Sequence, residues 1–153
     1  MILFQDLRLG SFDKNVLDLS FTWLNDPELQ SLIASSSVNR EAQNKWFEKL
    51  STRTDLLIFS IIYNQTPIGV MGLKNIAYNE GEYWGYIGDK AYWGKGIGSW
   101  MMEEIAQSAK HIGITKIYLK VLHDNIRAIN LYKKSGFSVS DKDSTFTFME
   151  KKI

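Results

Sequence analysis

The chain has 153 residues, 44% hydrophobic and 23% charged, the balance of an ordinary soluble domain with one core. A net charge of +1 gives no overall bias toward nucleic acid or membrane; with no cysteine and only His111 and His123, thiol chemistry is excluded and no metal site is expected. No apolar run is long enough for a membrane span, and Gln5, Asp6 and Arg8 come too early for a secretion signal, so one cytoplasmic domain over 1–153 is expected.

"ILFQDLRL" alternates and predicts a first strand. "KNVLDLSFTWL" and "DPELQSLIA" predict a helix that restarts at Asp26-Pro27, since proline suits a first helical position. "NREAQNKWFEKL" predicts another helix, with Trp46, Phe47 and Leu50 on one face. "LLIFSIIY", the turn "NQT" and "PIGVMGLKNI" form a hairpin pattern, and "EYWGYIG" follows the turn "YNEG" as the next strand. After the glycine-rich stretch "YWGKGIGS", the residues Ile97, Trp100, Met101, Ile105, Ala109 and Ile112 recur at helical spacing up to Gly113. "KIYLKVL" is a compact strand. "DNIRAINLYKKSGF" is a short helix with Asp124 or Asn125 as its cap and Gly136 at its end, and "FSVSDKDSTFTFME" supplies two closing strands. The order predicts an α/β fold: N-terminal helices, an antiparallel meander, then strand–helix–strand–helix.

A strand that runs through a glycine-rich turn into a helix is a general anion site, because the free N–H groups of the first turn face the ligand. Two nucleotide motifs fail on spacing. For a P-loop, Gly88 is one residue too far from Gly94-Lys95, and Gly96 stands where a magnesium-binding hydroxyl belongs. For a dinucleotide fingerprint, the last glycine is replaced by Ser99 or Met101, depending on where the motif is started. A tight strand-to-helix connection with no ligand remains open on the glycines alone.

"GYIGDKAYWGKGIGSWMMEEIAQ" followed by "KIYLKVLHDNIRAINLYKKSGF" resembles the GNAT family of N-acetyltransferases over about half the chain, from Tyr83 to Phe137. Trp93 stands where the family's pyrophosphate loop usually has Gln or Arg, a variant similar to the ribosomal-protein-acetylase-like branch. The resemblance implies a GNAT-like mixed sheet with a splayed parallel strand pair, and acetyl-CoA as co-substrate. It implies that Gly94, Lys95, Gly96, Ile97, Gly98 and Ser99 cradle the pyrophosphate through backbone N–H groups. It implies that Tyr86, Ile87 and Gly88 pair with the pantetheine arm as a strand would, with Asn125 bonding the same arm.

Tyr132 takes the position of the family's general acid, which protonates the departing CoA thiolate; a phenol of pKa about 10 carries its proton at neutral pH. The strand glutamate that some relatives use as a base is Lys120 here, leaving Glu82 as the candidate base and His123 as a weaker one. Lys90, Lys95, Lys133 and Lys134 could neutralise a phosphate or simply face solvent.

The N-terminal helices are expected to form the acceptor side, with Trp23, Asn25, Asp26, Trp46 and Phe47 as candidates; ordinary core packing is the competing reading for the tryptophans. The implied reaction is direct attack of a primary amine on acetyl-CoA. The acceptor is an amino-sugar nucleotide on one reading, and a polyamine or a protein N-terminus on others. A non-catalytic acyl-CoA-binding module is the alternative of another class. Neither a nucleic-acid nor a membrane partner is expected, and the resemblance allows a homodimer through the tail strands.

Overall fold

Four of the five α-helices begin at a side-chain cap. Asp13 Oδ1 accepts from the Val16 N–H at 3.0 Å and starts α1 (Lys14–Leu24). Asp26 accepts from the N–H groups of Glu28 and Leu29 to start α2 (Pro27–Ile33), with Pro27 in the first turn as expected. Asn39 caps α3 (Arg40–Lys49), and Asn125, not Asp124, caps α5 (Ile126–Lys134) by accepting from Ala128. The exception is α4 (Ile97–His111), which is entered through Gly96 at φ +82° and has no side-chain cap.

The computed structural model describes residues 1–153, and its seven strands form one sheet in the order β1-β2-β3-β4-β5-β7-β6. They are β1 (Leu7–Gly10), β2 (Leu57–Tyr63), β3 (Thr66–Ala77), β4 (Glu80–Ile87), β5 (Lys116–Leu122), β6 (Ser138–Lys142) and β7 (Phe146–Lys152). The first strand is shorter than "ILFQDLRL" predicts, because Phe4–Asp6 form a 3-10 turn closed by the Asp6 N–H on the Leu3 carbonyl at 2.9 Å. The two meander turns are Asn64-Gln65 and Tyr78-Asn79, all four at positive φ, the geometry that suits strand twist in two-residue hairpins.

Every strand pair is antiparallel except β4 and β5, which are joined by the crossover helix α4. That parallel pairing covers only Glu80 with Lys116, Gly81 with Ile117 and Glu82 with Tyr118. Beyond it the two strands part. The larger core cluster packs α4 residues Ile97, Met101, Met102 and Ile105 with Met71, Leu73, Tyr83, Leu119 and Ile129. A smaller one joins α1 and α2 to the sheet through Val16, Leu29, Val70 and Tyr86. No helix is long and apolar enough to cross a membrane.

Gly88 follows β4 directly and lies under the ring of Trp23 from α1, where a Cβ would fall within the indole. Its N–H donates to the Ile68 carbonyl at 2.8 Å, so both its missing side chain and its backbone serve packing. Gly88→Ala should lower stability by about 1–3 kcal/mol through overpacking, measured by urea unfolding.

Candidate active site

The gap left by β4 and β5 is the floor of a cleft of about 530 Å³, bounded by α2, the glycine loop and α5. Backbone alternation decides which groups face it. Gly81 lies in the parallel pairing with β5, while the Gly88 N–H is bonded to β3. With the two-residue side-chain and hydrogen-bond period of a strand, Gly85 and Ile87 turn their peptide groups toward the gap, and Tyr86 turns its own toward β3. Of the expected arm-binding segment, Ile87 therefore offers backbone to the cleft. Tyr86 lines it while its ring packs edge-on against Trp23 at 6.3 Å, and Gly88 lies outside the lining.

The three glycines of the loop answer three different demands. Gly94 and Gly96 have φ of +71° and +82°, conformations that an L-side chain adopts only with strain. Gly98 is helical, and a Cβ there would approach Leu131 Cδ2 to 2.6 Å, so it permits α4 and α5 to touch. The uncapped first turn of α4 then presents its N–H groups and the positive dipole end to the cleft. Residues 94–99 all line it, Lys95 included. Arg127, which the sequence reading did not assign, places its guanidinium beside Gly94, where a Cβ would lie 3.1 Å from Nη2. A cation in the first turn of a helix opposes the dipole, and that misfit was a signal available in the motif. A loop of free N–H groups with Lys95 and Arg127 fits the diphosphate of CoA, and the parted strands fit its amide arm.

Tyr132 projects from α5 onto the cleft wall and packs edge-on with Tyr83 at 6.2 Å and against Phe137 at 5.9 Å. Burial pushes its phenol up to about 12, so it is a neutral donor throughout the physiological range. Asn125 lines the same wall, but its amide is occupied: Oδ1 caps α5, and Nδ2 donates to the Leu32 carbonyl at the end of α2 at 3.2 Å. Glu82 is the one carboxylate in the lining. Its side chain, 16% exposed, accepts from Asn75 Nδ2 at 3.0 Å and lies 3.9 Å from Lys74.

The acceptor-side candidates are not brought together. Trp23 packs on Tyr86, and Trp46 and Phe47 pack on Phe12 at 5.6 and 6.2 Å. Asn25 bonds the Phe21 carbonyl and the Val38 N–H, while Asp26 caps α2 and holds Lys90. The wall is instead apolar: Leu29, Leu32 and Ile33 of α2. Lys90 is held by Asp26 at 2.8 Å and Glu28 at 2.9 Å, so it is not free for a phosphate. Both nitrogens of His123 are engaged, Nδ1 with Thr147 Oγ1 at 2.9 Å and Nε2 with the Asp143 carbonyl at 2.6 Å, which makes it a strand-end tie.

An open strand edge, a glycine-rich helix start without a side-chain cap and a buried phenol thus line one cleft. The acetyltransferase (GNAT) family matches residues 20–137, and the chain belongs to it. It is similar to acetyltransferase PseH of Campylobacter jejuni, 26% identical over 144 residues that cover 93% of this chain and 89% of that one. It is also similar to the spermidine N(1)-acetyltransferase of Thermoplasma acidophilum, 34% identical over 98 residues, 64% of this chain and 60% of that one. The fold matches the spermidine N-acetyltransferase of Vibrio cholerae in complex with CoA and spermine, with a TM-score of 0.89 at 18% identity over 97% and 96% of the chains. The protein is an acetyl-CoA-dependent N-acetyltransferase.

The buried phenols set an alkaline limit on stability. Burial raises the Tyr83 and Tyr132 values above the unfolded value of about 10. Their contribution is therefore complete below pH ~10 and is lost as pH rises through the folded values. The urea midpoint should fall above that pH, and fall less steeply in Tyr132→Phe.

Proposed function

We propose that the protein acetylates the primary amine of a small acceptor that also carries an anionic group, an amino-sugar nucleotide being the best match. The observation that carries this reading is the charge around the cleft. Its charged lining is Lys74, Glu82, Lys95, Lys120 and Arg127. Lys95 and Arg127 belong to the diphosphate end. Away from that end the lining carries two ammonium groups, Lys74 and Lys120, and one carboxylate, Glu82, which already has Lys74 and Asn75 as partners. A polyamine would bring several cations to this end and meet repulsion, whereas an anionic acceptor is attracted. Lys120 also sits over the Phe146 ring at 4.7 Å, which supplies a flat apolar surface beside the charge.

In this reading acetyl-CoA supplies an activated thioester, and the chain supplies position and protons. The N–H groups of residues 94–99, with Lys95 and Arg127, hold the diphosphate, and the gap-facing Gly85 peptide groups and Ile87 N–H pair the arm. Glu82 receives the acceptor ammonium and takes its proton. The neutral amine attacks the thioester carbonyl. As the C–S bond breaks, Tyr132 gives its proton to the departing thiolate and takes back the proton that the new amide nitrogen loses, and its burial keeps it in the protonated form before the step.

Tyr132→Phe should lower kcat by about 100-fold or more, the range for loss of a general acid, with the acetyl-CoA KM within about threefold. An unchanged kcat removes the acid role. The likeness to spermidine acetyltransferases supports a polyamine as the second reading, and the ribosomal-protein-acetylase-like loop supports a peptide α-amine. Thiol release with all three amine classes decides between them. We expect kcat/KM for the amino-sugar nucleotide to exceed that for spermidine and a short peptide by about tenfold or more, a difference of ~1.4 kcal/mol. The opposite order refutes the acceptor assignment.

A further inference from the structure

Trp93, which replaces the usual Gln or Arg of the loop, has a defined partner. Its indole N–H donates to the Ile87 carbonyl at 2.7 Å. Ile87 is the last residue of β4, and by strand alternation its peptide groups face away from β3, on the side where β5 has parted. The indole therefore satisfies an acceptor that strand pairing leaves open. It also joins the end of the free strand edge to the residue that precedes Gly94. The ring is held from outside as well. Lys90 Nζ lies 5.8 Å from its centroid and is itself gripped by Asp26 and Glu28 at the start of α2.

From this we infer that Trp93 is a positioning residue for acetyl-CoA. Its bond to Ile87 sets the offset between the strand edge that pairs the arm and the N–H cradle that takes the diphosphate. A ligand that spans both subsites binds well only when that offset is held. With the Ile87 carbonyl taken, the arm is left the Gly85 peptide and the Ile87 N–H, so the bond also selects the register of pairing. The inference rests on the acetyl-CoA reading above and adds to it a residue that need not touch the reacting atoms.

Trp93→Phe keeps a ring under Lys90 and removes the donor. The expected result is a rise of about 3- to 10-fold in the acetyl-CoA KM and in the calorimetric Kd for CoA, the size of one net hydrogen bond. kcat at saturation and the amine KM should stay within about twofold. An unchanged acetyl-CoA KM overturns the role. So does an equal rise in both KM values with a drop in melting temperature, which is the signature of general loosening. If the variant does not fold, the wild type answers through its assigned Trp93 indole N–H resonance. Protection from solvent exchange, kept through a CoA titration, supports the tie, and fast exchange overturns it. A wild type that binds no CoA refutes the acetyl-CoA reading together with this inference. Normal wild-type binding that Trp93→Phe leaves unchanged refutes this inference alone.

Discussion

The structure depends on a pairing that stops early. After the three residue pairs that join β4 to β5, β4 continues to Ile87 with one edge free, and β5 continues to Leu122 against β7 alone. Unpaired peptide groups inside a protein are costly, so a sheet that parts in its middle must offer that edge to something else. Here the neighbours of the gap meet the demand in turn. An indole takes the last carbonyl, the glycine loop brings donors to the mouth, and α2 closes the side with leucine and isoleucine. The cleft is the place where sheet formation stops short.

The walls of the cleft are tied to each other as well as to the sheet. At one end of α2, Asp26 and Glu28 hold Lys90, which lies over Trp93. At the other end the Leu32 carbonyl accepts from Asn125, which also caps α5. The helix that forms one wall of the cleft is thus fixed at both ends to the elements that form the others. Most of these polar contacts are near the surface, where an ion pair contributes up to about 1 kcal/mol, so their value lies in geometry more than in strength.

Much of this was legible in the sequence, and the unequal result has physical reasons. The period of α4, the compact β5 and the cap-to-glycine span of α5 are local patterns, so the elements carrying Tyr132, Asn125 and the loop could be placed from residue order. The parting of β4 and β5 could not, because "EYWGYIG" and "KIYLKVL" read as strands whether or not they pair along their length. Aromatic residues misled for a related reason. Trp23, Trp46 and Phe47 suit a stacking surface and a core equally, and packing left them half-buried against other aromatic rings, Trp23 on Tyr86 and over Gly88, Trp46 and Phe47 on Phe12. Leu29, Leu32 and Ile33 had the ordinary spacing of an amphipathic helix, which does not reveal that the apolar side faces a cavity. Arg127 was visible inside the motif, and its awkward place in a helix's first turn was the clue.

The missing cap of α4 has a thermodynamic side. Elsewhere in this chain an aspartate or asparagine caps the first helical N–H groups permanently; at α4 no side chain does so, and in the proposed reading that duty would fall to the diphosphate of a ligand that comes and goes. The folded state is therefore not one fixed free energy but a quantity that rises with the supply of donor. Ligand present at a hundredfold over its Kd adds about 2.7 kcal/mol, a substantial share of a small domain's total. The helix that organises the catalytic cleft is firmest when there is something in the cleft to catalyse.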